Sequence, residues 1–167
     1  MQVNTINNIT FELEDPVTGE KATIRYEDGS FSKGEITAGL TYSLQLVATG
    51  IWAVSLLFND EEKLVSTIKA EAGGGMSITK FYRRKKYYLR RSQNLKLRFS
   101  LLNKGNDELL TIIPSVNWQK RSHDFILQTN DEFEKECDKL LILQALHCAN
   151  CGLSMMAGGQ VPPLIGL

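Results

Sequence analysis

The residues 80–98, KFYRRKKYYLRRSQNLKLR, hold nine Lys or Arg in nineteen positions and no acid. Cations at this density recognise phosphate or carboxylate groups. Lys80, Arg83, Arg84, Lys85, Lys86, Arg90, Arg91, Lys96 and Arg98 are therefore the candidate anion-binding set. Two anionic partners compete for it. Lipid headgroups at a membrane surface would gain about 1 kcal/mol per nearby Lys or Arg. Nucleic acid would use the same charges, with bases stacking on Tyr82, Tyr87 or Tyr88. No RNP1-type pattern accompanies them. A third possibility is structural: acids such as Glu12, Glu14 or Asp60–Glu62 neutralise the cations, and exposed strand lysines discourage edge pairing. A module that carries a protein partner is a further reading.

The second chemical signal is HCANC, His147–Cys151. A CxxC pair serves redox chemistry or zinc. Zinc needs a fourth ligand, and only His123 and Cys137 remain to supply one. Haem attachment would place the His after the second Cys. Cys137 lies eleven residues before Cys148, roughly 16 Å along a helix, too far to bridge. Buried cysteines commonly act as small apolar fillers, and that is the expectation for Cys148 and Cys151. Gly73-Gly74-Gly75-Met76 lacks the Gly-Lys-Ser/Thr of a phosphate-binding loop and reads as a hairpin turn. His123-Asp124 has no nucleophile elbow beside it. No catalytic residue, metal site or cofactor is expected, and the chain reads as non-enzymatic.

The elements that carry these residues follow from periodicity. At 167 residues, with 43% apolar and 23% charged content, the chain is expected to be one globular domain over 1–167. Its zero formal charge is unevenly spread: net −6 over residues 1–79, +9 over 80–98 and −3 over 99–167. Such a pattern can steer an anionic partner. The opening MQVNTINNITFELED has no basic run before an apolar core, so neither a secretory leader nor a transit peptide is expected. Three cysteines, an odd number, argue against a disulfide framework and for a cytoplasmic setting.

Over residues 9–129 the dominant period is two. KATIRYE puts Ala22, Ile24 and Tyr26 on one face; TYSLQL does so with Tyr42, Leu44 and Leu46; WAVSLLF with Trp52, Val54, Leu56 and Phe58; LKLRFSL with Leu95, Leu97, Phe99 and Leu101. Further strands are expected over 9–14, 31–35, 64–70, 76–82, 86–90, 108–113 and 124–128. Alternation of this kind means one wet and one dry face. By the same rule Tyr87 and Leu89 point inward, while Lys86, Tyr88, Arg90, Lys96 and Arg98 point outward. Asp28-Gly29, Asn59-Asp60 and Asn103-Lys104-Gly105-Asn106 supply turns between the strands.

After Thr129 the period changes. Thr129, Asn130 and Asp131 are N-cap candidates, and a buried central helix is expected over 131–157, with 158–167 a tail. Within it LLILQALHCANCGLSMMA, 140–157, carries a narrow polar stripe of Gln144, His147, Cys151 and Ser154, and nearly everything else is apolar or small. Gly158-Gly159 and Pro162-Pro163 end it. A helix apolar nearly all round is buried in protein or spans a bilayer. Gln144, His147 and Asn150 in its middle favour protein, so no transmembrane span is expected. The fold class that satisfies both periods is an antiparallel barrel of about 10–12 strands enclosing one apolar C-terminal helix.

The order of parts near the C-terminus, strand SHDFILQT, acidic linker NDEFEKECD, then LLILQALHCANCGLSMMAGG, resembles the tubby C-terminal superfamily. That superfamily includes the LURP-one-related proteins and the phospholipid scramblases. The resemblance covers most of the chain in layout rather than in motifs. It implies a barrel plugged by its last helix. It also implies binding of phosphoinositide-like headgroups by basic side chains on the barrel, peripheral to a membrane. The calcium-binding and palmitoylated segments of scramblases have no counterpart in this sequence.

Overall fold

Twelve strands close on themselves around a helix in the computed structural model, which describes residues 1–92, 95–119 and 121–156. The strands are β1 Gln2–Asn7, β2 Thr10–Glu14, β3 Lys21–Tyr26, β4 Lys33–Ala38, β5 Leu40–Ala48, β6 Ile51–Phe58, β7 Glu61–Ala70, β8 Met76–Lys80, β9 Lys85–Arg91, β10 Phe99–Leu102, β11 Glu108–Asn117 and β12 Ser122–Thr129. Each pairs antiparallel with its sequence neighbour, and β1 pairs with β12 to close the ring. A barrel closed this way has no free edge strand. Two helices follow, α1 Phe133–Glu136 and α2 Lys139–Met156.

Alternation sets the wall. On β3, Ala22, Ile24 and Tyr26 are buried, while Lys21 and Arg25 are exposed. The inward residues meet α2, whose side chains from Leu141 to Cys151 are buried without a break. Continuous burial over three turns means contact on every face, and α2 packs against β3, β4, β8 and β9. Near the C-terminal end of α2, Gly152 leaves space for a wall side chain: a Cβ there would stand 3.0 Å from the Phe99 ring. Among the described residues, no helix is long and apolar enough to cross a membrane.

The structure departs from the sequence reading in five places. β1 was not anticipated; its inward residues are Val3 and Thr5, and Thr5 is polar. The strand expected over 95–101 begins only at Phe99, and Leu95, expected inward, is fully exposed. Phe58, expected inward on β6, is also exposed, because it is the last residue of the strand and stands at the barrel rim beside the Asn59-Asp60 turn. The strand expected over 76–82 stops at Lys80, where a 3₁₀ turn, Tyr82–Arg84, takes over. Finally, α2 starts at Lys139 rather than near Asp131. Asn130 caps only α1, its Oδ1 accepting from the Glu132 and Phe133 amides at 3.1 and 3.2 Å. Cys137 is then extended. Asp138 caps α2, accepting from the Leu141 amide at 2.7 Å. The expected stops at Gly158-Gly159 and Pro162-Pro163, Ala157 and the tail lie outside the described residues.

Candidate anion-docking surface

The direction of each strand fixes where the cations stand. The end of the barrel where α2 begins is the proximal end; the end where it reaches Met156 is the distal end. β9 starts proximally, at Lys85, and ends distally, at Arg91. Seven residues at about 3.3 Å each separate its ends by roughly 20 Å. The basic stretch is therefore not one patch. It divides between the two ends.

At the proximal end, Lys80 Nζ reaches Asp138 Oδ2 at 2.7 Å and Lys85 Nζ reaches Glu136 at 3.7 Å. Both acids belong to the segment that feeds α2. These two lysines thus fasten the helix to the barrel rim. Arg83 and Arg84 occupy the tight turn between β8 and β9, both with positive φ (66° and 48°). Arg83 lies over the exposed Tyr82 ring, 5.4 Å from its centroid. A cleft of about 410 Å³ opens here between Tyr42, Leu56, Val65, Lys80, Lys85 and Leu140. Acids crowd this end: Asp15, Glu20, Asp60 and Asp107 sit in its loops, Glu61 opens β7, and the α1 carboxylates lie beside them.

On the side wall, Lys86 stands 3.8 Å from Glu71, which also accepts from the Ser77 hydroxyl at 2.6 Å. That hydroxyl holds the Glu71 carboxyl below its usual range, and the Lys86 charge acts in the same direction. Lys86 and Arg90 flank the Tyr88 ring at 5.2 and 5.7 Å. Tyr87 is buried and points toward α2, so it presents no ring for stacking. Burial pushes its hydroxyl up to about 12.

At the distal end, Arg90, Arg91, Lys96 and Arg98 are exposed. Arg90 and Arg91 end β9, and the loop that carries Lys96 and Arg98 is closed by the Ser92 amide donating to the Arg98 carbonyl at 2.9 Å. Among the described residues, no carboxylate lies within 4.0 Å of these four cations. Arg98 acts at longer range on Glu108, whose carboxyl is held low first by the Ser100 hydroxyl and also by Thr111 and this charge. A cleft of about 560 Å³ lies beside them, between the Gly73–Gly75 loop, Arg90, Arg91, Phe99 and Met155.

The cysteine motif sits elsewhere, inside the barrel. Cys148 and Cys151 are buried and free, and burial pushes both thiols up. His147 Nδ1 is 3.0 Å from the Tyr26 hydroxyl, and its Nε2 is 3.6 Å from Cys151 Sγ. Trp52 packs edge-on against the imidazole at 5.0 Å. Gln144 donates to Ser66 Oγ on β7. The polar stripe of α2 is thus matched to particular strands and fixes the rotation of the helix in the lumen. Among the described residues, no group of three or more His, Cys, Asp or Glu is placed to hold a metal ion.

Sequence reasoning placed Lys86, Tyr88 and Arg90 outward and Leu89 inward, as found. It missed the pairing of Lys80 and Lys85, because their acids come from a segment about fifty residues later. The acids it named, Glu12, Glu14 and Asp60–Glu62, are not the partners: Glu12 pairs with Lys21 at 2.8 Å. No family model, curated protein or solved structure matches the chain.

Proposed function

We propose that this barrel is a non-enzymatic module that docks peripherally on anionic lipid headgroups, phosphoinositide-like in charge, at the cytoplasmic face of a membrane. A kinship with the tubby C-terminal superfamily, through the plugged-barrel layout, belongs to the same proposal. One observation carries it: Arg90, Arg91 and Lys96 are exposed at one end of the barrel with no carboxylate within ion-pairing distance among the described residues. Cations left unneutralised on neighbouring chain segments repel one another, and an anion between them relieves the repulsion. The lumen is filled by α2, so the reading assigns no substrate to the barrel interior.

Lipid is favoured over nucleic acid by the placement of the tyrosines: the exposed ring of Tyr82 lies in the β8–β9 turn, at the opposite end of the barrel from the unpaired cations. A stacking platform needs exposed ring faces. Tyr87 is buried, and the ring of Tyr88 already carries Lys86 and Arg90.

Vesicle co-sedimentation tests the proposal. Neutral vesicles should bind weakly, and vesicles with phosphatidylserine or a phosphoinositide strongly, with binding falling as salt rises. Changing Arg90, Arg91 and Lys96 to Glu should remove at least about 3 kcal/mol, roughly a hundredfold or more in partitioning. The same reversal at Arg83 and Arg84, at the acid-rich end, should change binding little. No gain from anionic lipid, or equal losses from both sets, would sink the proposal.

A further inference from the structure

Two exposed apolar side chains stand beside the unpaired cations, and they go beyond what charge alone explains. Trp118 is 85% exposed and Leu95 fully so. Leu95 lies in the loop from β9 to β10, between Arg91 and Lys96. Trp118 lies in the loop from β11 to β12, next to Val116, also exposed, and near Arg121. The register places both loops at the distal end. Phe99 pairs with Arg91 on one side and Ile112 on the other, so β11 runs distally from Ile112 to Asn117. Because β10 and β11 are adjacent strands, the two loops are neighbours on the rim.

The acids at this end are already engaged. Glu27 pairs with Lys33 at 2.8 Å, Asp28 accepts from the Ser30 amide at 2.8 Å, and Glu71 holds Ser77. The opposite end carries Asp15, Glu20, Asp60 and Asp107 in its loops and Glu61 at the start of β7. The molecule is charged along its axis, basic distally and acidic proximally. A negative surface attracts the first end and repels the second.

We infer that the distal rim is a membrane-inserting tip. Trp118 and Leu95 enter the interface of an anionic bilayer, while Arg90, Arg91, Lys96, Arg98 and Arg121 meet the headgroup phosphates above them. This deepens the proposed function and rests on it. It adds an orientation, with the barrel standing on its distal end, and a hydrophobic component. Tryptophan suits the position because its indole is apolar with one polar N–H, the chemistry of the headgroup boundary. Insertion of this kind is shallow, about 5–10 Å. The occupant is a lipid surface rather than a second copy of the chain, because two basic rims brought face to face would repel.

The experiment uses the intact chain and its two tryptophans. Trp52 is buried in the core and serves as an internal constant. Phosphatidylcholine vesicles with phosphatidylserine should shift the emission to the blue, and lipids brominated along the acyl chain should quench it. Trp118→Phe should sediment with the vesicles but lose both signals. Trp118→Ala with Leu95→Ala should lower partitioning roughly tenfold or more. Sedimentation with anionic vesicles and no spectral change would overturn the insertion and leave the docking proposal standing. Failure to sediment would overturn both. A blue shift that grows with protein concentration in the absence of vesicles would overturn insertion in favour of self-association.

Discussion

The imidazole of His147 gives the most direct physical check on the placement of α2. It is fully buried between Tyr26, Trp52 and Cys151, and burial alone pulls its pKa down to about 3. In the unfolded chain the same group titrates near 6.5. Between these two values the unfolded state binds a proton that the folded state excludes. Stability then rises with pH, at up to about 1.4 kcal/mol per unit. The stabilisation is complete above about pH 6.5 and is lost as pH falls toward 3. Across the whole window it comes to about 5 kcal/mol, and between pH 6.5 and 4.5 to about 2 kcal/mol.

Urea denaturation of the wild type and of His147→Gln, repeated from pH 7 to 4.5, isolates this contribution. Gln keeps a hydrogen-bonding partner for the Tyr26 hydroxyl but cannot titrate. His123, which burial also lowers, and the carboxylates titrate in both proteins and cancel in the difference. The wild-type advantage over the variant should shrink by about 2 kcal/mol on acidification from pH 6.5 to 4.5. Parallel profiles would refute the buried placement. If the variant does not fold, proton NMR of the wild type serves. The chain has two histidines, so two imidazole resonances are followed. One of them must stay unprotonated at pH 5, and two ordinary titrations near 6.5 would refute the same point.

Two further outcomes follow from the fold. Gly34→Ala should lower stability by about 2 kcal/mol, several degrees in Tm, because the new Cβ would stand 2.6 Å from the Arg25 carbonyl oxygen in the β3–β4 ladder, where backbone cannot yield; an unchanged Tm would contradict the register. Cys148 and Cys151 should resist iodoacetamide at pH 8 until the protein is unfolded, and Cys137, pushed up to about 12 chiefly by burial, should react slowly; rapid native labelling of Cys148 would show that the lumen is open.

Much of the fold is legible because its two periods are clean. KATIRYE alternates without exception, and LLILQALHCANC is apolar over three turns but for Gln144, His147 and Asn150, so a wall with a dry inner face and a helix needing cover can be read directly. β1 was hidden because QVNTIN turns Thr5 inward and Ile6 outward, the reverse of what hydrophobicity alone suggests. Thr5 is tolerated there because its hydroxyl donates to the His123 carbonyl on β12, a closure contact across most of the chain. Leu95 and Phe58 fail for a related reason. Alternation predicts burial only while the strand lies over the packed lumen, and a loop or the barrel rim ends its authority. The true cap of α2 escaped because Asn130 and Asp138 are both good caps in sequence, and only the extended Cys137 between them separates two helices.

The basic stretch illustrates a different limit. Its nine cations are contiguous in sequence, and composition treats them as one group. A strand that crosses the barrel wall places its ends roughly 20 Å apart, more than two Debye lengths at physiological salt. Cations that far apart across solvent are nearly independent of each other. Lys80 and Lys85 then answer to the acids that lead into α2, and Asp138, which caps that helix, couples the first of them to the positive end of the helix dipole. Arg90, Arg91 and Lys96 have no such acid within reach among the described residues, and they meet solvent beside Leu95 and Trp118. One run of like charge thus serves two purposes, fastening the plug at one rim and leaving the other rim cationic. The division follows from the length of β9 and not from any difference in residue type.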